Sequence, residues 1–211
     1  MSQDKILATL TKLAEAHPKR ADFNKAVKVA FPFVLGSGAF RRVHDTDEGF
    51  VIKLRHDKPK RDNAFPMREI DSSNKDELAG YNKIKRRSAL LAHFVLKPTY
   101  FALPNGHDVV LMEKMDNTWD SIGYAARRNV EKNNHALHNQ VQVIEKTFND
   151  GHWKNIGIKG NRAFLLDVNF SNIWSWDDED KAFARLTLEK AGVKLRGRKP
   201  KKVLMTMEAA A

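Results

Sequence analysis

The stretch "VLGSGAFRRVHDTDEGFVIKLRHD", residues 34–57, decides how the fold is read. Gly36 and Gly38 flank Ser37, "FRRVHD" follows, and Lys53 sits inside the apolar run "FVIKL". Alternating runs on either side of "DTDEG" predict strands joined by a short turn. Glycine lets a main chain approach phosphate oxygens because it carries no Cβ. Residues 36–38 therefore read either as a phosphate-cradling loop or as a hairpin with two convenient glycines. Lys53, among Val51, Ile52 and Leu54, points either to solvent from a strand edge or into a cleft.

Outward from this stretch, the pattern predicts an α+β chain. Residues 2–16 form an amphipathic helix, with Ile6, Leu10 and Leu13 at helical spacing. Residues 31–54 are strands, and the polar, basic 56–73 is a loop. "NKDELAGYNKIKRRSALL" is helical, with Leu78, Tyr81 and Ile84 on one face and Gly80 weakening it. "HFVLKPTYFALPNGHDVVLMEKM" reads as two strands around Pro104, Asn105 and Gly106. A helix then carries Leu137, Val141, Ile144 and Phe148 as one stripe. "NIGIKGNRAFLLDVNF" is a hairpin turning at Lys159, Gly160 and Asn161. The acidic "DDED" at 177–180 precedes a last helix at 181–191, with Gly192 as its stop. The order gives a helical extension at 1–30, a sheet-bearing lobe at 31–115, a mostly helical lobe at 116–193, and a basic tail at 194–211.

The 211 residues carry a net charge of +11, which favours anionic partners such as nucleotides, nucleic acid or acidic protein surfaces. There is no cysteine, so thiolate chemistry, disulfides and cysteine-based zinc sites are excluded. Neither a signal-peptide core nor an apolar run of membrane-spanning length is present, so the expected location is the cytoplasm, with no membrane partner.

"DGHWKNIGI" narrows the choice at the glycines. Asp150 and Asn155 lie between a helix and a hairpin, and Asp167 follows the apolar "AFLL". A hairpin of that length returns Asp167 towards Asn155. Two oxygen-bearing side chains converging this way suit Mg²⁺, with water and phosphate completing its shell. Asp150 is then placed to orient a hydroxyl or accept its proton. Glu77, on the helix after the Lys53 strand, suits pairing with that lysine. Each of these residues has a plainer reading as a turn, cap or exposed helix residue.

Taken jointly, these runs resemble the protein-kinase-like fold. "LGSGAFRRV" looks like its glycine-rich loop, with Arg41 where a third glycine is usual. "VIK" resembles the motif that places Lys53 on the α- and β-phosphates, with Glu77 as its helix partner. "VLMEKM" looks like the hinge, so Met112 would guard the adenine pocket and the main chain of residues 113–115, Glu113 and Met115 included, would meet the adenine edge. The resemblance makes Asp150 the catalytic aspartate, Asn155 a metal ligand and Asp167, in "LLDVN", the main metal ligand. Asp-x-His-x-x-Asn, with His152 in place of a lysine, is similar to aminoglycoside phosphotransferases, lipopolysaccharide kinases and some bacteriophage protein kinases. Val168 and Asn169 replace Phe-Gly, and no Ala-Pro-Glu motif follows.

The resemblance, over residues 31–175, implies a two-lobed fold with a truncated second lobe. The organisation is similar to small bacterial and bacteriophage kinase-like proteins, which would place a viral member in the host cytoplasm. The implied activity is ATP- and Mg²⁺-dependent phosphoryl transfer, with a protein Ser/Thr hydroxyl as acceptor. Two other expectations stand beside it. One is a kinase-like nucleotide-binding module without transfer. The other is nucleic-acid binding by "KLRGRKPKK", whose "RGRKP" resembles an AT-hook, with Arg196 and Arg198 in a minor groove and Gly197 allowing close approach. His135 and His138 are three apart on a helix without an evident third ligand, and Trp174 and Trp176 read as packing residues.

Overall fold

The structure, a computed structural model, describes residues 3–38, 41–57, 74–149, 151–168, 173 and 176–195. Within them the chain is α+β, with a five-stranded antiparallel sheet and six α-helices. It folds as two compact units: Met1–Ala79 with Lys97–Lys114, and Gly80–Leu96 with Met115–Ala211.

In the first unit, α1 (Gln3–Ala16) buries Ile6, Leu10 and Ala14, spaced four apart on one stripe. The second helix, α2 (Arg20–Ala30), buries Phe23 and Val27. These side chains pack on alternate residues of the sheet: Ile52 and Leu54 from β3 (Phe50–Arg55), Val109 and Leu111 from β5 (Asp108–Glu113). Burying each large side chain stabilises the fold by about 1.5–3 kcal/mol relative to leaving it exposed. Residues 3–30 therefore belong to the core of this unit, whereas the sequence pattern set them apart as an extension. His107 reinforces the junction by stacking on Phe23, ring centroids 4.3 Å apart, and donating from Nε2 to the His17 carbonyl at 2.7 Å.

The sheet order is β1-β2-β3-β5-β4, with β1 Val34–Ser37, β2 Arg41–Asp45 and β4 Thr99–Ala102. The edge strand β1 pairs only with β2 and is exposed along its length. The turn at "DTDEG" takes positive φ at Asp47 and Gly49. The loop expected at 56–73 lies, from residue 58 onward, outside the described residues.

Helix α3 (Asn74–Arg87) contributes residues to both units. The second unit holds α4 (Gly123–Asn133), α5 (His135–Thr147), α6 (Asp178–Lys190) and a sheet ordered β6-β7-β8. Its strands are β6 Asn117–Thr118, β7 Ile156–Lys159 and β8 Arg162–Leu165. The predicted stripe of Leu137, Val141, Ile144 and Phe148 is buried, joined by Phe94, Ile156 and Leu165. Residues 80–96 group here, although the sequence pattern assigned them to the first lobe.

The acidic run at 177–180 is the start of α6 itself. Asp177 caps α6, accepting from the Asp180 N–H at 2.8 Å, and Asp180 closes a capping box. The last helix thus starts at Asp178 rather than 181. It ends as expected at Gly192, φ +80°, where the Val193 N–H reaches back to Leu188 O at 2.9 Å. Among the described residues, no helix is long and apolar enough to cross a membrane.

Candidate functional site

In the first unit, the sheet face opposite the α1–α2 core carries Lys53 and Arg41. Residues directly paired across antiparallel strands share a face. Lys53 is paired with Val43 on one side and Val110 on the other, and Val51 with Met112. Lys53 is therefore flanked by aliphatic side chains near the middle of this face. It is buried, and its Nζ donates to Glu77 Oε1 on α3. Of the two readings of Lys53, the solvent-facing one is excluded.

Glu77 is fully buried and engages a second cation. Arg41 Nη1 lies 3.4 Å from Glu77 Oε2, and Arg41 Nε donates to Asn74 Oδ1 at 2.9 Å. Asn74 Nδ2 in turn donates to the Asp108 carbonyl at 3.0 Å. The Asp108 side chain pairs with Arg20 at 3.0 Å. One polar network thus ties α2, α3 and three strands together. The sequence reading noted Arg41 only as a missing glycine. Its place two residues before Val43 put it on the Lys53 face by strand parity, and that was the signal available.

The glycine hairpin joins β1 to β2. Gly36 pairs with Val43, Ser37 with Arg42, and the Gly38 N–H donates to Arg41 O at 2.9 Å. His56 Nε2 reaches Gly38 O at 3.0 Å and Ser37 Oγ at 3.5 Å. Neither glycine has positive φ. A Cβ at Gly36 would meet nothing within 4 Å, and at Gly38 only Arg41 O at 3.9 Å. Among the described residues, the packing leaves both positions open to larger residues.

Met112 is buried and Glu113 exposed at the end of β5. The next N–H, from Lys114, is given to Gly49 O at 2.9 Å. Lys114 also pairs with Asp45. Burial pushes the Asp45 carboxyl up, but Lys114 and the Asp47 N–H outweigh it and hold it below its ordinary value. A cavity of about 370 Å³ opens here, lined among the described residues by Gly49, Phe50, Leu111, Met112 and Glu113 with others, but not by Lys53, Gly36 or Gly38.

The second unit carries the predicted metal ligands. Asn155 ends the short 3-10 turn Trp153–Asn155, and Asp167 follows β8. The Leu166 N–H donates to Asn155 O at 2.8 Å, so the β7–β8 hairpin brings these two segments together, with Asp167 one residue beyond the paired position. Asn155 Nδ2 lies 3.2 Å from His152 Nε2. Fully buried Gln140 fixes the hairpin from α5: its Oε1 accepts from Arg162 Nε at 3.0 Å and the Ala163 N–H at 3.3 Å, and its Nε2 donates to Asn161 O at 3.0 Å.

Three glycines left unexplained by sequence are close-contact positions. A Cβ on Gly151 would lie 2.3 Å from Ile144 O, and one on Gly80 2.4 Å from Val168 O. A Cβ on Gly157 would lie 2.5 Å from the side chain of Met115, the second residue expected at the hinge. Gly80 is thus a packing contact of α3 rather than a helix defect.

Asp150, Arg196, Gly197, Arg198, Asn169 and Trp174 lie outside the described residues. Among the described residues, no group of three His, Asp or Glu side chains is arranged to hold a metal, which applies to His135 and His138 as well. Asn155 and Asp167 do offer hard oxygen donors of the kind Mg²⁺ takes, a set that phosphate and water complete. Trp176 packs on the second core. Comparison with protein-family models and with curated proteins finds no match for this chain.

Proposed function

We propose that the chain is a minimal protein-kinase-like phosphotransferase, of two-lobed type, that moves the γ-phosphoryl group of ATP to a protein Ser/Thr hydroxyl. The observation that carries this reading is the buried Lys53–Glu77 pair between the central strand β3 and α3, on the face flanked by Val43, Val110 and Met112. A lysine held there by a carboxylate has its ammonium oriented, and phosphoryl transfer depends chiefly on such positioning and on charge neutralisation. Open space over Gly36 and Gly38 supports the same reading, since no packing among the described residues requires glycine there.

In this mechanism Lys53 engages the α- and β-phosphates, and the glycine hairpin at 36–38, whose Gly38 N–H is kept by Arg41 O, covers the phosphate oxygens. Asn155 and Asp167 would hold Mg²⁺, which supplies neutralisation of phosphate charge. Asp150 accepts the proton of the acceptor hydroxyl as its oxygen bonds to the γ-phosphorus and the bond to the ADP oxygen breaks. The net charge of +11 favours an acidic docking surface on the protein substrate.

Incubation with labelled ATP, Mg²⁺ and cell lysate tests the proposal. Label should pass to protein, and Asp150→Ala and Lys53→Met should each abolish it. Transfer that persists in Asp167→Ala at the wild-type rate, or no transfer at all, overturns it. Nucleotide-induced stabilisation without transfer would instead mark a kinase-like binding module.

A further inference from the structure

We infer that Arg41 is a positioning residue that tethers the first turn of α3 to the sheet, so that the Lys53–Glu77 pair is assembled in the resting chain. In its purpose the inference rests on the phosphotransferase reading. The tether itself stands on geometry alone.

Arg41 is buried on β2 and reaches two residues three apart on one face of α3. Its Nε bonds Asn74 at 2.9 Å, and its Nη1 faces Glu77 at 3.4 Å. The two cations meet different oxygens: Lys53 donates to Oε1 of Glu77, and Arg41 Nη1 lies 3.4 Å from Oε2 as an ion pair without a hydrogen bond. Asn74 extends the tether by its bond to the Asp108 carbonyl on β5. A planar, forked guanidinium can bond Asn74 through one nitrogen while holding charge beside Glu77 with another; a lysine in its place offers a single point charge, and a glycine offers nothing.

In regulated kinases the lysine–glutamate pair must be brought into place, often by phosphorylation elsewhere. Here the strand next to Lys53 supplies its own fastening. The chain accordingly needs no outside trigger to align Glu77, and its activity is constitutive with respect to α3.

The test compares the full-length chain with Arg41→Ala, Arg41→Lys and Asn74→Ala. Amide hydrogen exchange is followed over residues 74–79 and over α5, and acetylation of Lys53 by an amine-reactive reagent is followed by peptide mass spectrometry. Arg41→Ala should speed exchange at 74–79 and Lys53 acetylation at least tenfold while leaving α5 unchanged. Arg41→Lys should fall between it and wild type, and adding Asn74→Ala to Arg41→Ala should add little, since both cut one tether. Wild-type rates in Arg41→Ala overturn the inference, as does an equal rise in α5, which would mark general destabilisation. Should Arg41→Ala not fold, Arg41→Lys decides, with unchanged exchange at 74–79 counting against the tether. If wild type transfers no phosphate, the phosphotransferase reading falls while these rates still judge the tether. If it does transfer, Arg41→Ala should lower kcat/KM for ATP at least tenfold, with partial rescue by Arg41→Lys.

Discussion

Gly80 of α3 lies against the main chain of Val168, the residue after Asp167: a Cβ added at Gly80 would stand 2.4 Å from the Val168 carbonyl oxygen. In an exposed helix interior, replacing glycine by alanine gains roughly 0.5–1 kcal/mol. Here backbone blocks the new methyl, and overpacking of this kind costs about 1–3 kcal/mol. Gly80→Ala is therefore expected to destabilise the chain despite its better helix propensity. A lower denaturant midpoint with unchanged slope would show it; a raised midpoint would contradict the contact.

The Glu77 carboxylate is shared by Lys53 and Arg41, so the three positions should not be equally sensitive. Breaking a buried ion pair by removing one member costs about 3–5 kcal/mol. Glu77→Gln removes the charge that both cations face and should cost more than Lys53→Met, after which Glu77 still has Arg41. Equilibrium unfolding of the two variants makes the comparison. Equal losses would mean that Arg41 does not share the carboxylate.

His44 supplies a pH dependence whose sign is fixed by its surroundings. It is fully buried on β2, and its Nδ1 donates to Phe31 O at 2.7 Å. Nε2 is buried with no hydrogen-bond partner among the described residues, so a proton there has no acceptor. Burial lowers the imidazole pKa, outweighing the Phe31 bond that raises it, and Arg42 and Lys28 lower it further. The unfolded chain thus binds this proton more readily than the folded one. Stability from this group is complete above about pH 6.5 and is lost as the pH falls towards the lowered folded value, at most about 1.4 kcal/mol per pH unit. Denaturant titrations at pH 7.5 and 5.5 should show the loss in wild type and a smaller one in His44→Gln.

Metal dependence separates the proposed roles of the second unit. Chelation of divalent cations should abolish phosphoryl transfer and restoration of Mg²⁺ should recover it. Asp167→Asn, which keeps shape but removes charge, should lower transfer by at least a hundredfold at saturating Mg²⁺. Transfer in Asp167→Asn at the wild-type rate would remove this residue from the site.

Much of the fold could be read from period and punctuation. The β7–β8 hairpin, the Leu137–Val141–Ile144–Phe148 stripe and the stop at Gly192 each follow from local pattern. Grouping was harder. Ile6 and Leu10 mark a helix, but only tertiary packing shows that they cover Ile52 and Val109. Motif spacing points to the Lys53–Glu77 pair, whereas in the sequence Arg41 only fills a third glycine's place and Gly80 only weakens a helix. Both gaps have one cause: a residue's neighbours along the chain do not reveal what approaches it from another element.

The position of β1 at the sheet margin has a mechanical consequence. It is stitched to β2 along one side only, and the ladders from β2 through β3, β5 and β4 do not depend on it. Lifting the glycine hairpin would part the β1–β2 seam and the His56 contacts to Gly38 and Ser37, while the pairings that hold Lys53 in register on both sides stay shut. Flap and anvil are thus separate parts of one sheet, and the pairing of the second is complete without the first.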